Sequence, residues 1–177
     1  MMKSLIIDYE KCNGCNSCAL ACSFVKTGTF DINRANVSVS YFPEVNFTVP
    51  VVCQHCSEPI CMEICPKKAI YRDEETNAVI IDQNICTGCK LCIMACPIGA
   101  PWKDSETKKV FKCDLCGGDP ECVKYCSFGA LSYDDLEEET LKGRKDRLKR
   151  VARVVASFDD ISILNHIKMY GGHGNAD

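Results

Sequence analysis

Sixteen cysteines in four groups of four constrain the fold of this 177-residue chain more than any other feature. Every group ends in two cysteines separated by three residues, and this repetition indicates internal duplication. A chain so rich in cysteine is typical of a disulfide-linked secreted protein or of a metal protein. The groups are Cys12, Cys15, Cys18 and Cys22; Cys53, Cys56, Cys61 and Cys65; Cys86, Cys89, Cys92 and Cys96; and Cys113, Cys116, Cys122 and Cys126.

The start of the chain favours reduced thiols over disulfides. The apolar run Leu5-Ile6-Ile7 ends at Asp8, which is too soon for a signal peptide, and no apolar run approaches the length of a membrane span. We therefore expect a cytoplasmic protein without a membrane span, in which disulfides are disfavoured. The net charge of −3 gives nucleic-acid binding little support.

The third group has the most specific spacing, C-x2-C-x2-C-x3-C followed by Pro97. This pattern is typical of the iron–sulfur sites of bacterial ferredoxins. Three thiolates hold one cubane cluster, while the fourth, expected at the start of a helical turn, points towards a second cluster. The first group has the same spacing without the proline. Groups two and four have a longer second gap, and each alone would also suit a zinc site.

The cysteine count predicts four [4Fe-4S] clusters with no thiol left over. Residues 69–71 and 79–81 flank the turn sequence DEETN and predict a β-hairpin, which would bring groups two and three together. Groups one and four would then pair with each other, although pairing one with two and three with four is a second possibility. The first pairing predicts these ligand sets: Cys12, Cys15, Cys18 with Cys126; Cys22 with Cys113, Cys116, Cys122; Cys53, Cys56, Cys61 with Cys96; and Cys65 with Cys86, Cys89, Cys92.

The remaining segments give weaker signals. Residues 4–8 and 130–133 predict two strands that pair with each other, and residues 37–41 alternate as a third strand does. Pro43 and Pro50 are expected to bracket an irregular stretch. Residues 134–158 carry acidic residues first and basic residues later, an order that suits a helix, and the end of the chain is expected to be disordered.

Few other residues suggest chemistry. His55 lies between two predicted ligands and is expected to line a cluster or to donate to one of its sulfurs. Trp102 and Tyr125 are expected to pack against a cluster or a partner rather than to relay electrons. Because no paired carboxylates, phosphate-binding loop or nucleophile–base pair is recognised, no catalytic residue is predicted. Three glycines are expected where backbone approaches a cubane closely: Gly14, Gly88 and Gly99.

These motifs resemble the electron-transfer subunits of the dimethyl-sulfoxide-reductase and formate-dehydrogenase type. The likeness covers residues 4–133 and is carried by CQHC-x2-P-x-C-x3-CP-x2-AI from Cys53, by Cys96-Pro-x-Gly-Ala-Pro101 and by Lys112-Cys-Asp-Leu-Cys116. It implies an α+β fold of two interleaved ferredoxin-like halves with short hairpins. One half would contain groups one and four, and the other groups two and three. The implied segments are about 1–26 with 103–133, and about 50–102. Beyond the resemblance, the pattern of residues 134–177 predicts a helical extension with a disordered end.

Three features differ from the respiratory members of that type. The loop GGDPE between Cys116 and Cys122 is short, and in this the chain is similar to small subunits that serve tungsten aldehyde oxidoreductases, carbon monoxide dehydrogenases and hydrogenases. Ser127, rather than proline, follows Cys126, which removes no ligand. The membrane-contacting extension is expected to be absent, since the chain stops soon after group four.

The resemblance implies an electron-transfer subunit that is not an enzyme alone. We expect it to relay electrons between a large catalytic subunit with pterin-bound tungsten or molybdenum, similar to aldehyde oxidoreductases, and a flavin subunit, a ferredoxin or another acceptor. Alternatives are a free-standing polyferredoxin, a subunit of a formate dehydrogenase, hydrogenase or carbon monoxide dehydrogenase, and a zinc scaffold. Exposed apolar patches would favour a subunit over a free carrier.

Overall fold

The computed structural model describes residues 3–43 and 46–135. These residues form an α+β fold in which four two-stranded antiparallel sheets alternate with short helices. The strands are β1 Lys3–Ile7, β2 Val37–Phe42, β3 Phe47–Val52, β4 Ile70–Arg72, β5 Val79–Ile81, β6 Trp102–Lys103, β7 Val110–Phe111 and β8 Leu131–Asp135. The α-helices are α1 Ser17–Thr27, α2 Ile60–Glu63, α3 Leu91–Ala95 and α4 Glu121–Lys124.

The first and last described strands pair with each other. β1 runs antiparallel to β8, with Leu5 opposite Tyr133. Leu5 and Ile7 face the core because alternate residues of a strand point to the same side. This confirms the predicted pairing of residues 4–8 with 130–133, although β8 continues to Asp135.

Two hairpins are built on the same local motif. In the predicted hairpin β4–β5, which is confirmed, Asp73 accepts a hydrogen bond from the backbone N–H of Thr76 at 2.8 Å. In β6–β7, Asp104 accepts the equivalent bond from Thr107 at 2.8 Å. The second hairpin was missed from the sequence, although the repeated Asp-x-x-Thr turn is visible there and stabilises the turn in both cases.

The prediction of an irregular stretch between Pro43 and Pro50 is wrong. Phe47–Val52 forms β3, which pairs with β2 along its whole length, and Pro50 lies opposite Val39. Proline is tolerated because a strand in a two-stranded sheet has one edge that needs no hydrogen bond. The predicted strand at 37–41 is confirmed as β2.

The helices and cysteines form the core together. α1 packs against α4, and α2 packs against α3. One buried cluster contains cysteines of groups one, two and four beside Leu5, Val37, Val52 and Leu131. A second contains Cys92 with Ile70, Val79, Ile81 and Val110.

The predicted helix at 134–158 and the disordered end lie outside the described residues, apart from the two positions that finish β8. None of the helices in the described part of the chain is long and apolar enough to span a membrane.

Candidate metal centres

The third cysteine of every group lies in the first turn of a helix. Each helix begins one residue before it, so four cysteines hold equivalent positions: Cys18, Cys61, Cys92 and Cys122. The prediction that the fourth cysteine starts a helical turn is wrong. In groups two to four the helix ends before that cysteine, which begins a tight turn closed by the residue three positions later. These turn bonds are Lys68 to Cys65 at 3.0 Å, Gly99 to Cys96 at 3.2 Å and Gly129 to Cys126 at 3.0 Å. Cys22 instead lies inside α1, which is 11 residues long.

The residue before the second cysteine of every group has a positive φ. The angles are +78° at Gly14, +46° at His55, +69° at Gly88 and +56° at Leu115. Glycine adopts this left-handed conformation without strain, whereas a side chain disfavours it. At Gly88 there is also no space, because an added β-carbon would lie 2.1 Å from the carbonyl oxygen of Lys108.

Three cavities are each lined by four cysteines from two groups. We name each site by its first cysteine. The Cys12 site is lined by Cys12, Cys15, Cys18 and Cys126. The Cys22 site is lined by Cys22, Cys113, Cys116 and Cys122. The Cys65 site is lined by Cys65, Cys86, Cys89 and Cys92.

These are three of the four sets that the first pairing predicts. In each, one group contributes three cysteines and its partner group contributes the fourth. The alternative, which pairs group one with two and group three with four, would place the fourth cysteine of group two beside group one. Cys65 instead lines the same cavity as Cys86, Cys89 and Cys92.

The remaining predicted set forms the Cys53 site: Cys53, Cys56, Cys61 and Cys96. Burial raises the pKa of the Cys61 thiol, and the nearby thiolates of the other three cysteines raise it further, while the Lys112 ammonium opposes them. The four sulfurs of this set are therefore close enough to interact electrostatically.

Burial disfavours thiolates in the sites. It raises the pKa of Cys18 and Cys92 to about 11 and that of Cys113 to about 12, and neighbouring cysteines add to the effect. Each of these three thiols would therefore be neutral at pH 7 by itself. A bound metal cation removes this penalty, because a coordinating thiol is deprotonated outright.

Backbone N–H groups already point at several of the sulfurs. Each of four cysteines accepts one such bond: Cys22 from Asn36 at 3.3 Å, Cys65 from Ala69 at 3.3 Å, Cys113 from Leu115 at 3.4 Å and Cys126 from Ala130 at 3.2 Å. These donors stabilise negative charge on sulfur.

The other residues singled out from the sequence have varied positions. Trp102 donates from Nε1 to Asn36 at 2.9 Å, and its ring stacks on Phe111 with centroids 5.4 Å apart. Both rings line a cleft whose described lining includes no cysteine. Tyr125 is 59% exposed. Lys112 is a buried cation whose ammonium donates to the carbonyls of Val79 and Cys113. The sequence did not predict its burial, although Lys112 begins the motif that ends at Cys116.

Comparison with known proteins decides what these cysteines bind. Residues 44–136 match the model of the 4Fe-4S dicluster domain, and residues 5–24 match that of the 4Fe-4S binding domain. The chain belongs to the 4Fe-4S dicluster domain family. As a member of this family it carries multiple [4Fe-4S] clusters, and its sixteen cysteines are consistent with four.

Several named proteins are similar to this dicluster protein. A probable anaerobic dimethyl sulfoxide reductase chain of Escherichia coli is 31% identical over 75% of this chain and 73% of its own. The polyferredoxin-like subunit of the aliphatic sulfonate oxidoreductase of Pyrococcus furiosus is 36% identical over 69% of this chain and 70% of its own. A solved active site complex, BamBC of benzoyl coenzyme A reductase, aligns with a TM-score of 0.45 at 27% identity, covering 88% of this chain and 95% of its own. The two sequence relatives show that this dicluster protein is a ferredoxin-like electron-transfer subunit of the dimethyl-sulfoxide-reductase type.

The donors of the dicluster protein fit iron–sulfur clusters better than single ions. Within residues 3–43 and 46–135, no three His, Cys, Asp or Glu side chains approach closely enough to hold one metal ion. The cysteines of three sets instead surround open space, with N–H groups directed at sulfur. All-thiolate donor sets of four are those of [4Fe-4S] clusters.

Proposed function

We propose that the chain holds four [4Fe-4S] clusters and relays electrons between a catalytic subunit and a second carrier. The Cys12, Cys22, Cys53 and Cys65 sites would each bind one cluster through the four cysteines named above. A bound cluster supplies a one-electron redox couple whose potential depends on hydrogen bonds, charge and solvent exposure. The observation that carries the proposal is the lining of three cavities by the three predicted sets.

The protein's own part is to hold, shield and tune these sites. Short helices place the third cysteine of each group, and left-handed residues turn the chain between the first two. Burial excludes water, and backbone N–H groups stabilise charge on sulfur, so a reduced site is less costly than it would be in a purely apolar environment.

Electrostatic interactions between cysteines of different sets support a relay along a row. Burial raises the pKa of Cys122, and cysteines that include Cys18 of the Cys12 site raise it further. Burial likewise raises the pKa of Cys113, with a contribution from Cys53 of the Cys53 site. The pKa of Cys92 is raised by burial and by cysteines that include Cys61 of the Cys53 site. This order would let electrons enter at one end and leave at the other.

The packing of the four helices supports the division into two interleaved halves. α1 and α4, which carry the third cysteines of groups one and four, pack together, as do α2 and α3 of groups two and three. We propose one half from about 1–26 with 103–133 and another from about 50–102, with 134–177 as an extension.

An exposed apolar surface supports a subunit rather than a free polyferredoxin. Phe24 and Phe30 stack with centroids 4.6 Å apart, although they are 49% and 70% exposed. Val25 and Ile32 are also about half exposed nearby in the chain. Free carriers seldom expose such patches, whereas subunits cover them with a partner.

The partner we propose is a large catalytic subunit with pterin-bound tungsten or molybdenum, of the aldehyde-oxidoreductase kind. The short loop between Cys116 and Cys122 supports this choice. The second carrier would be a flavin subunit or a ferredoxin, and we propose a cytoplasmic complex, because thiols such as Cys15 and Cys89 must stay reduced until the clusters are assembled.

Anaerobic purification of the native protein tests the proposal. We expect a brown preparation with about sixteen irons per chain, together with one co-eluting large subunit that contains tungsten or molybdenum. An iron content near four with bound zinc would reject the four clusters. A brown but monomeric protein would favour the free polyferredoxin.

A further inference from the structure

His55 carries a buried hydrogen-bonding atom that no described residue satisfies. Its Nδ1 accepts a hydrogen bond from the backbone N–H of Val79 at 2.9 Å. A neutral imidazole has one protonated nitrogen, so the proton must lie on Nε2. Nε2 is buried and has no partner among the described residues. Unpaired buried donors are rare, so this one calls for a partner that the described residues do not supply.

The backbone of His55 indicates that this side chain has a specific role. Its φ of +46° disfavours any residue with a β-carbon, and groups one and three have glycine at the equivalent position. Group four has Leu115 there, and that side chain is buried in the core, so its bulk explains its presence. His55 differs because one edge of its ring is bound to β5 and the other edge presents a free donor.

We infer that the Nε2–H of His55 donates a hydrogen bond to a sulfur of the cluster in the Cys53 site and thereby raises that cluster's reduction potential. His55 lies within the Cys53-x-x-Cys56 loop of that site, so sulfur is the acceptor that the proposed function supplies there. A donor stabilises the reduced state more than the oxidised state, because reduction adds negative charge to the sulfurs. The inference rests on the proposed function.

Pulsed electron paramagnetic resonance on the anaerobic protein tests this contact directly. The chain has three histidines, His55, His166 and His173, so histidine labelled with ¹⁵N in the imidazole ring alone introduces few signals and leaves the backbone nitrogen of His55 unlabelled. In the reduced protein we expect a weak ¹⁵N coupling on one cluster signal. It should disappear in His55→Phe and persist in the double variant His166→Asn and His173→Asn.

Redox titration of the same samples supplies the second measurement. His55→Phe keeps an aromatic ring but has no donor, and it should lower the potential of one cluster while the others stay unchanged. His55→Gln restores an N–H near the position of Nε2 and should return the potential towards that of the wild type. A shift of all clusters together, or no rescue by glutamine, would indicate a structural role only and overturn the inference.

Iron content separates this inference from the proposed function. If the protein lacks its full iron, the proposed function fails before His55 is tested. If iron is complete but the wild type shows no ¹⁵N coupling, the acceptor is a water molecule and the inference is wrong. The wild-type spectrum decides this even if His55→Phe does not fold.

Discussion

The Cys22 site and the Cys65 site each have four cysteine thiols as donors, but they differ in their access to solvent. In the Cys22 site three of the four cysteines are buried, and Cys116 is half-buried. In the Cys65 site only Cys92 is buried, and Cys89 is exposed. The number of ligands therefore does not determine how exposed a site is. The helices and strands around the ligands determine it.

The difference follows from the lengths of the surrounding elements. The Cys22 site lies under α1, with 11 residues, and against the strand pair β2–β3, with 6 residues in each strand. The Cys65 site is surrounded by the three-residue strands β4 and β5 and by the five-residue helix α3. Longer elements cover more of a cluster, and exposure is one of the factors that set its potential.

Removing one ligand from each site should have the largest effect. Cys122→Ser and Cys89→Ser should each lower the bound iron by up to about one quarter, the share of one cluster in four, since each site holds its cluster through four cysteine thiolates. Cys122→Ser should also lower the melting temperature far more, because it leaves a hydroxyl buried between α1 and α4, at a cost of about 1–3 kcal/mol. Iron analysis and anaerobic circular dichroism measure both effects. Equal losses of melting temperature would show that the two sites contribute equally to the fold.

Two glycines with the same φ allow the loops of these two sites to be compared. Gly88 and Gly117 both have φ of +69°, but an added β-carbon meets the Lys108 carbonyl at 2.1 Å at Gly88 and nothing within 4 Å at Gly117. Gly117→Ala should cost about 1–2 kcal/mol from backbone strain alone. Gly88→Ala adds a backbone clash and should cost clearly more, with displacement of hairpin β6–β7.

Thermal unfolding of the two iron-loaded variants, with iron content as the control for assembly, measures this difference. Similar melting temperatures would mean that the Lys108 carbonyl moves aside easily, so the hairpin would not be a fixed wall of the Cys65 site.

The sequence predicted the grouping of the cysteines better than it predicted the strands and side chains around them. Spacing identified the three cysteines of each set that are local in the chain, and the predicted hairpin β4–β5 was needed to choose the partner group that lends the fourth. The strand around Pro50 was missed because its pairing with β2 outweighs the local signal of proline. The left-handed angle at His55 could not be predicted from a non-glycine residue, and the burial of Lys112 depends on contacts with β5 that are distant in sequence.

Two lysines extend the comparison to electrostatics. Lys112 is 5% exposed and bonds the carbonyls of Val79 and Cys113, between the Cys22 and Cys53 sites. Lys103 donates to the carbonyl of Gly88 at 3.1 Å, beside the Cys65 site. A cation near a cluster favours its reduced state, and water screens that effect less where the cation is buried.

Lys112→Met should therefore lower the potentials of the two neighbouring clusters by tens of millivolts, where roughly 59 mV is a tenfold change in a one-electron equilibrium. It should also destabilise the fold by about 1–3 kcal/mol, because two buried carbonyls lose a charged donor. Lys103→Met should change less in both measurements. Redox titration followed by electron paramagnetic resonance separates the clusters. If both variants shift the potentials equally, burial of the Cys22 site does not strengthen electrostatic control, and solvent access alone distinguishes the two sites.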